Sequence, residues 1–176
     1  VCSSDLFAPE NSCDLARDRL RVHVADARRF VRSTTNHYDV VIADLFHPSR
    51  DGAGLLYTRE HFSAIRSTLN PGGIFCQWLP LYQLDEAMLK VITRTFLEIF
   101  PHGSAWLLRY NIETPVLGLI GFTEPQAYSA EYFELRTGNE TLLAALKQAQ
   151  LRNTWELLGG FVGGAEALRA YAAGSP

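Results

Sequence analysis

The sequence predicts an α/β fold with a doubly wound sheet, and three observations support that prediction. Residues 40–43 form a continuous apolar run, which is typical of a strand buried on both faces of a parallel sheet. Strand patterns alternate with helix patterns along residues 19–100. Two short strand patterns, at residues 105–109 and 116–122, are close enough in the chain to pair as an antiparallel hairpin at the sheet edge.

Each element of the first half has a local signal. Polar and apolar residues alternate over residues 19–24, which predicts a strand, and a short helix that begins at Arg28 and finishes near Asn36 follows it. The apolar run belongs to a strand over residues 38–43, and a flexible glycine-rich loop at residues 49–54 comes after it. Thr58 is a favoured N-cap for the next helix. The apolar stripe of that helix consists of Phe62, Ile65 and Leu69.

The second half begins with the Asn-Pro-Gly-Gly motif at residues 70–73, which predicts a stop and a turn. A strand over residues 74–79 follows, and Pro80 closes it. Asp85 is a favoured N-cap for a long helix that continues to Phe100. Its hydrophobic staple is Leu84 with Leu89, and its apolar stripe consists of Met88, Ile92, Phe96 and Ile99.

Residues 129–176 are predicted to form a helical tail. Residues 137–140 have the capping-box sequence Thr-Gly-Asn-Glu ahead of a leucine-rich segment. Two further helical segments are predicted at residues 154–158 and 165–172. We therefore treat the whole chain as a single domain that has its core at residues 19–123.

Composition excludes several classes of protein. The chain of 176 residues is 47% hydrophobic and 20% charged, with a net charge of −3, which argues against a basic nucleic-acid surface. No apolar run is long enough for a membrane span. The three cysteines, Cys2, Cys13 and Cys76, lack metal-ligand spacing, so a reducing, cytoplasmic setting is expected. Because the chain begins at Val1 without a signal-peptide pattern, we expect a fragment truncated at both ends.

Two acids mark the candidate site. Asp26 and Asp44 each follow a predicted strand, and ligands of open α/β sheets bind beyond the carboxyl ends of the strands. One acid can accept hydrogen bonds from a nucleoside or amino group, while the other holds or deprotonates a cationic nucleophile. The alternative is that either acid only caps the helix after it, since Asp is a favoured N-cap.

Polar and aromatic residues also converge where the strand over residues 74–79 ends. Gln77 and Trp78 come late in that strand, and Tyr82 lies just beyond it, which suits a pocket with a few placed polar groups. The alternative is that Trp78 belongs to the core and Gln77 bonds the backbone. His47 lies in the loop after Asp44, and no histidine has metal-ligand spacing, so no metal site is predicted. Hydrolase and NTPase motifs are absent from the sequence.

The order and spacing of these motifs resemble the polyamine aminopropyltransferases, the spermidine and spermine synthases. The similarity covers residues 21–123 and is greatest to bacterial spermidine-synthase-like domains, many of which are fused to membrane segments. The motifs that carry it are Val24-Ala-Asp26-Ala27-Arg28-x-Phe30, Tyr38-Asp39-Val-Val-Ile-Ala-Asp44, Leu56-Tyr57, Asn70-Pro-Gly-Gly73 and Gln77-Trp78-Leu79.

The resemblance implies a methyltransferase-like Rossmann fold and an activity. Such enzymes move an aminopropyl group from decarboxylated S-adenosylmethionine, their co-substrate, to a diamine such as putrescine, and release methylthioadenosine. Asp44 matches the acid that orients and deprotonates the attacking amine. The nucleoside site would comprise Asp26, Ala27, Leu45 and Pro48. The amine site would comprise Asp44, His47, Tyr57, Gln77, Trp78 and Tyr82.

The chain departs from the family pattern in three places. His47 stands where a second Asp is usual, and Ile112 falls near the place of a tyrosine that lines the amine site, with Tyr110 two residues away. The glycine-rich first strand and the ribose-binding acid of the second strand should precede residue 7. We therefore expect residues 1–176 alone to be inactive, to bind nucleoside weakly and not to fold stably.

Two other functions remain open from the sequence. The chain could be an S-adenosylmethionine-dependent methyltransferase of the same fold, although no amine-methylation motif of the Asn/Asp-Pro-Pro-Tyr type follows Asp44. It could also be a non-catalytic ligand sensor or scaffold beside a membrane module. Partners are expected to be small molecules rather than nucleic acid, with a homodimer when the protein is complete and a fused membrane module upstream.

Overall fold

The computed structural model describes residues 21, 23–44, 52–109, 113–127, 129–148 and 151–174. Its helices are α1 (Ala27–Ser33), α2 (Arg59–Ser67), α3 (Glu86–Ile99), α4 (Ala130–Thr137), α5 (Glu140–Gln148), α6 (Thr154–Leu158) and α7 (Ala165–Ala172). Its strands are β1 (Tyr38–Ala43), β2 (Leu69–Pro80), β3 (Ser104–Arg109), β4 (Val116–Phe122) and β5 (Phe161–Gly164). Short 3₁₀ helices at Ala53–Tyr57 and Leu81–Gln83 follow β1 and β2 in the chain.

The described strands form one five-stranded sheet in the order β1-β2-β4-β3-β5. β1 and β2 are parallel, and α2 connects them, while the remaining neighbours are antiparallel. β3 and β4 form the predicted hairpin. The mixed α/β class with an antiparallel hairpin is therefore confirmed. The tail is mainly helical as predicted, but it also contributes β5, which pairs with β3 and so extends the sheet.

The core lies between one face of the sheet and helices α2, α3 and α7. Alternation along β2 directs Phe75, Gln77 and Leu79 to this face, and all three side chains are fully buried. Phe75 packs against Phe96 of α3 with 5.9 Å between ring centroids. Gly121 of β4 leaves room for the ring of Phe100, because a Cβ there would lie 2.4 Å from that ring.

The predicted burial of β1 on both faces is wrong. Val41 and Ala43 pack against the core, but Val40 and Ile42 are 54% and 60% exposed. The reason is that β1 is an edge strand among the described residues, and the helices cover only one face of it. The predicted strand over residues 19–24 is also not seen at residues 21, 23 and 24, where no described strand pairs with them. Its other residues lie outside the described ranges.

Several predicted helix and turn signals shift by a few residues. The caps Thr58 and Asp85 are confirmed, and Leu84 and Leu89 both pack against the core. Leu69 belongs to β2 rather than to the α2 stripe, and Asn70–Gly73 forms a bulge within β2, where Gly72 has a φ of 73°. The core-facing residues of α3 include Thr93 and Leu97, whereas Met88 is exposed.

The predicted capping box in the tail is wrong in its cap. Thr137 ends α4, and the cap of α5 is Asn139, whose Oδ1 accepts hydrogen bonds from the backbone N–H groups of Thr141 and Leu142. Asn has about the same preference for this position as Asp or Ser. The helix start therefore moves by two residues without loss of its cap.

Phe96→Ala should lower the free energy of unfolding by about 3–5 kcal/mol, because it removes a fully buried ring from the core. Met88→Ala, on the same helix but exposed, is the matched control and should lower it by less than about 1 kcal/mol. Urea unfolding of both variants measures the difference. Equal losses would contradict the assignment of Phe96 to the core.

Candidate active site at the carboxyl edge of the sheet

The parallel pairing of β1 and β2 brings their carboxyl ends to one edge of the sheet. Ala43 is the register partner of Gln77, so Asp44 follows β1 at the level of Trp78. Asp44 is exposed. Open α/β sheets bind ligands at this edge, beyond the ends of their strands. The register therefore places the backbone of Asp44, Gln77 and Trp78 at the same edge of the sheet, and their role as a site stays a prediction.

Gln77 is the polar member of the buried row of β2. Its Nε2 donates a hydrogen bond to the backbone carbonyl of Trp78 at 3.1 Å, so the expected backbone bond is present. Its Oε1, however, has no hydrogen-bond partner among the described residues. The amide nitrogen therefore has a structural bond, while the amide oxygen has unused hydrogen-bonding capacity. Trp78, next in the strand, is half-buried.

Thr114 brings a second unpartnered group to the same edge. β4 runs antiparallel to β2, and Val116 pairs with Pro80, so the residues just before β4 lie beside the end of β2. The N–H of Leu81 donates to the carbonyl of Pro115 at 3.1 Å and ties the two segments together. The Oγ1 of Thr114 is buried without a partner in the described structure. Sequence analysis missed Thr114, because a lone Thr before Pro carries no distinguishing signal.

His61 is the third buried side chain with an unpartnered atom. Because α2 connects two parallel strands, it runs back along the sheet, and its first turn lies at the carboxyl edge. The His61 side chain is buried there, and its Nδ1 lacks a partner among the described residues. Burial, with the Arg28 guanidinium adding to it and the Asp26 carboxylate opposing it, lowers the pKa of the imidazole to about 4. The sequence analysis considered His61 only as a metal ligand.

These three atoms share one feature. Within the described ranges, the buried side-chain polar atoms that lack a hydrogen-bond partner are His61 Nδ1, Gln77 Oε1 and Thr114 Oγ1. All three belong to segments at the carboxyl edge of β1 and β2. Buried polar groups are normally paired, and exceptions call for an explanation such as a ligand. The edge therefore has hydrogen-bonding capacity that a polar ligand would satisfy.

Asp26 and Ala27 begin α1. Asp26 is its N-cap, and its Oδ1 accepts a hydrogen bond from the N–H of Arg29 at 2.9 Å, so Asp26 does cap this helix, and any further role for it stays a prediction. The expectation that Asp26 ends a strand is wrong for the described residues before it. Ala27 lines a cleft of about 800 Å³ between α1 and β1, together with Phe30, Val31 and Val40.

The two predicted tyrosines have different environments. Tyr57 ends the 3₁₀ helix Ala53–Tyr57 and is buried in the core, and this burial raises the pKa of its phenol to about 12. Its hydroxyl is therefore neutral near pH 7 and able to donate a hydrogen bond. Tyr82 is 44% exposed in the 3₁₀ helix Leu81–Gln83, directly after β2 and at the candidate edge.

Several predicted site residues cannot be placed. Leu45, His47 and Pro48 lie outside the described residues, as do Tyr110 and Ile112. Among the residues that the structure does describe, no group of three His, Cys, Asp or Glu side chains is arranged to hold a metal ion. In the same part of the chain, no helix combines the length and the apolar character that a membrane crossing requires.

The described chain is a mixed α/β protein with an acid, Asp44, at the carboxyl edge of its parallel strands. A family model of the spermine/spermidine synthase domain matches residues 2–132. The chain therefore belongs to the spermine/spermidine synthase domain family. Sequence relatives include the polyamine aminopropyltransferase 2 of Hyperthermus butylicus, which is 31% identical over 146 residues, covering 77% of this chain and 44% of the relative. Spermidine synthase of Schizosaccharomyces pombe is 29% identical over 128 residues, which cover 68% of this chain and 39% of the relative.

Solved structures agree on the fold. A spermidine synthase in complex with the transition-state analogue AdoDATO matches with a TM-score of 0.71 and 19% identity, over 97% of this chain and 56% of that one. Human methyltransferase-like protein 13 in complex with SAH matches with a TM-score of 0.57 and 18% identity, over 82% of this chain and 68% of that one. The chain spans less than half the length of the curated relatives that it matches.

The depressed pKa of His61 predicts a loss of stability on acidification. The unfolded imidazole binds a proton below its ordinary pKa of about 6.5, whereas the folded one does so only below about 4. Between these values the unfolded state holds the extra proton, so stability falls with falling pH by about 1.4 kcal/mol per pH unit.

Unfolding of the protein and of His61→Phe between pH 7 and 4.5 measures this contribution, which the variant should lack. His102→Phe, at an exposed histidine, is the control and should keep the parent's pH dependence. Identical pH profiles for all three proteins would contradict the depressed pKa.

Proposed function

We propose that this chain forms part of an aminopropyltransferase that makes polyamines. The reaction transfers the aminopropyl group of decarboxylated S-adenosylmethionine to a diamine such as putrescine, giving spermidine and methylthioadenosine. The observation that carries the proposal is the position of Asp44 at the carboxyl edge, beside buried Gln77 with its unpartnered Oε1. Membership of the spermine/spermidine synthase domain family supports the same activity.

The chemistry requires little more than position and one base. The attacking amine must be neutral, since an ammonium has no lone pair to form the new nitrogen–carbon bond. As that bond forms, the carbon–sulfur bond of the sulfonium breaks, and its electron pair leaves with sulfur as a neutral thioether. The Asp44 carboxylate orients the amine and accepts the proton that the nitrogen loses. Holding the two reactants together supplies much of the remaining rate enhancement.

Gln77 and the residues around the end of β2 hold the amine in this proposal. Gln77 Oε1 is an acceptor without a partner among the described residues, and an amine or ammonium N–H is its natural donor. Trp78 and Tyr82 provide apolar surface for the methylene chain of the diamine. Tyr57 and His47 complete the proposed amine site, with His47 in the place of the usual second acid.

Asp26 and Ala27 hold the nucleoside in this proposal, together with Leu45 and Pro48. One oxygen of Asp26 caps α1, and the other carboxylate oxygen is proposed to accept a hydrogen bond from the adenine amino group. A single acid would then order the start of the helix and bind the base. The homodimer, the cytoplasmic location and the upstream membrane module remain predictions.

Asp44→Asn should reduce kcat/KM for aminopropyl transfer by about 100-fold or more, because it removes the base while preserving the shape of the side chain. Asp39→Asn on the same strand is the matched control. Asp39 accepts a hydrogen bond from Asn70 at 2.8 Å, and the amide oxygen of an asparagine can accept the same bond. The Asp39→Asn variant should therefore keep the transfer activity of the parent.

The Asp44 assay uses the full-length protein with decarboxylated S-adenosylmethionine and several diamines, and S-adenosylmethionine as the competing donor. Full transfer activity in Asp44→Asn would refute the assigned role. Methyl transfer without aminopropyl transfer would favour a methyltransferase, and inactivity with both donors would favour a sensor or scaffold.

A pair of Asp26 variants separates nucleoside binding from helix capping. Asp26→Ser retains a capping oxygen but loses the carboxylate, whereas Asp26→Ala loses both. Both variants should raise KM for the sulfonium donor about 10-fold or more, as expected for a hydrogen bond to a charged group. Only Asp26→Ala should also lower the free energy of unfolding, by about 1 kcal/mol. If Asp26→Ser keeps the parent's KM for the sulfonium donor, Asp26 acts only as a helix cap.

A further inference from the structure

We infer that His61 is a specificity-determining residue on the nucleoside side of the site, where its Nδ1 hydrogen-bonds the base of the bound sulfonium nucleoside. The inference rests on the proposed function, and it adds a residue that the sequence motifs did not select. Its basis is geometric: a 95% buried imidazole whose Nδ1 has no partner among the described residues, located between α1 and α2 at the ligand edge.

His61 lies on the helix that packs against α1. Within α2, its backbone N–H donates to the capping hydroxyl of Thr58 at 3.3 Å, and its ring lies 6.5 Å from that of Phe62. The charges of Asp26, the N-cap of α1, and Arg28, in its first turn, act on the imidazole, and α1 packs against α2. The base-binding acid of the proposed function is therefore close enough to His61 for its charge to act on the imidazole.

The protonation state of His61 suits an uncharged ligand. Burial and the Arg28 guanidinium lower its pKa, so the ring is neutral near pH 7. A neutral imidazole offers one N–H donor and one acceptor nitrogen, and Nδ1 can take either role. A purine base presents both donors and acceptors along its edges, so one tautomer of His61 matches it without bringing a buried charge.

If His61 had a purely structural role, its substitution by Phe would have a different effect. An unpartnered buried nitrogen destabilises the fold, and an apolar ring of similar size would avoid that penalty. A residue kept only for packing would therefore be replaced by Phe without functional loss. A residue that binds the base would gain stability on the same change and lose ligand affinity, as functional sites commonly do.

Three substitutions separate these roles. His61→Asn places an amide close to the position of Nδ1, His61→Gln places one close to Nε2, and His61→Phe removes both nitrogens. Calorimetry of the full-length protein with methylthioadenosine should show affinity within about twofold of the parent for Asn, and a loss of roughly three- to tenfold for Gln and Phe. His61→Phe should melt at the same temperature as the parent or higher.

Steady-state kinetics adds a readout that packing would not change. KM for the sulfonium donor should rise in His61→Gln and His61→Phe, while KM for putrescine should remain unchanged. His102→Asn, at an exposed histidine, is the matched control and should match the parent in every measurement.

The outcomes are distinguishable. Parental affinity in both His61→Gln and His61→Phe would overturn the inference, as would equal losses for Asn and Gln. If His61→Phe fails to fold, the comparison of Asn with Gln still decides. Failure of the parent protein to bind methylthioadenosine would overturn the proposed function itself, and with it the ligand assigned to His61.

Discussion

The parallel pairing of β1 with β2 is the constraint on which the rest of the structure depends. It places Ala43 opposite Gln77 and therefore brings the acid after one strand to the polar end of the next. It also requires a crossover helix, α2, whose first turn returns to the same edge. The antiparallel addition of β4 then brings Thr114 beside the end of β2. These two pairings together assemble residues that are up to 70 positions apart in the chain.

At the same edge, buried polar atoms without partners among the described residues lower the stability of the fold. Behind it, the rings of Phe62, Phe75, Phe96 and Phe100 pack with centroid separations of 5.1–6.0 Å, and all four side chains are fully buried. At the edge itself, buried polar atoms remain unpartnered among the described residues. Such atoms are costly in the free protein and useful in a complex, because a ligand that pairs with them recovers the lost hydrogen bonds. The rigid aromatic core holds them in place.

Sequence patterns predicted what depends on neighbours along the chain. The apolar run of β1, the caps Thr58 and Asp85, and the hairpin strands were all found within a residue or two of their predicted bounds. Sequence patterns gave wrong predictions where a segment distant in the chain determines whether a strand forms or is buried. Residues 21, 23 and 24 alternate but have no described strand beside them, and β5 is a glycine-rich segment that becomes a strand because β3 offers an edge. Val40 and Ile42 have a buried strand's composition, yet no described element covers them.

For the candidate site, the sequence by itself determined the type of chemistry, because an acid that ends an apolar strand is conspicuous and its motif is specific to a family. It also singled out Gln77 and Trp78, since polar and aromatic residues late in a strand suit a pocket. Only the tertiary structure decided the rest. It buried His61 where the charges of Asp26 and Arg28 act on it, and it left single atoms of Gln77 and Thr114 without partners among the described residues. Burial and hydrogen-bond satisfaction depend on residues far apart in the chain, and no local pattern encodes them.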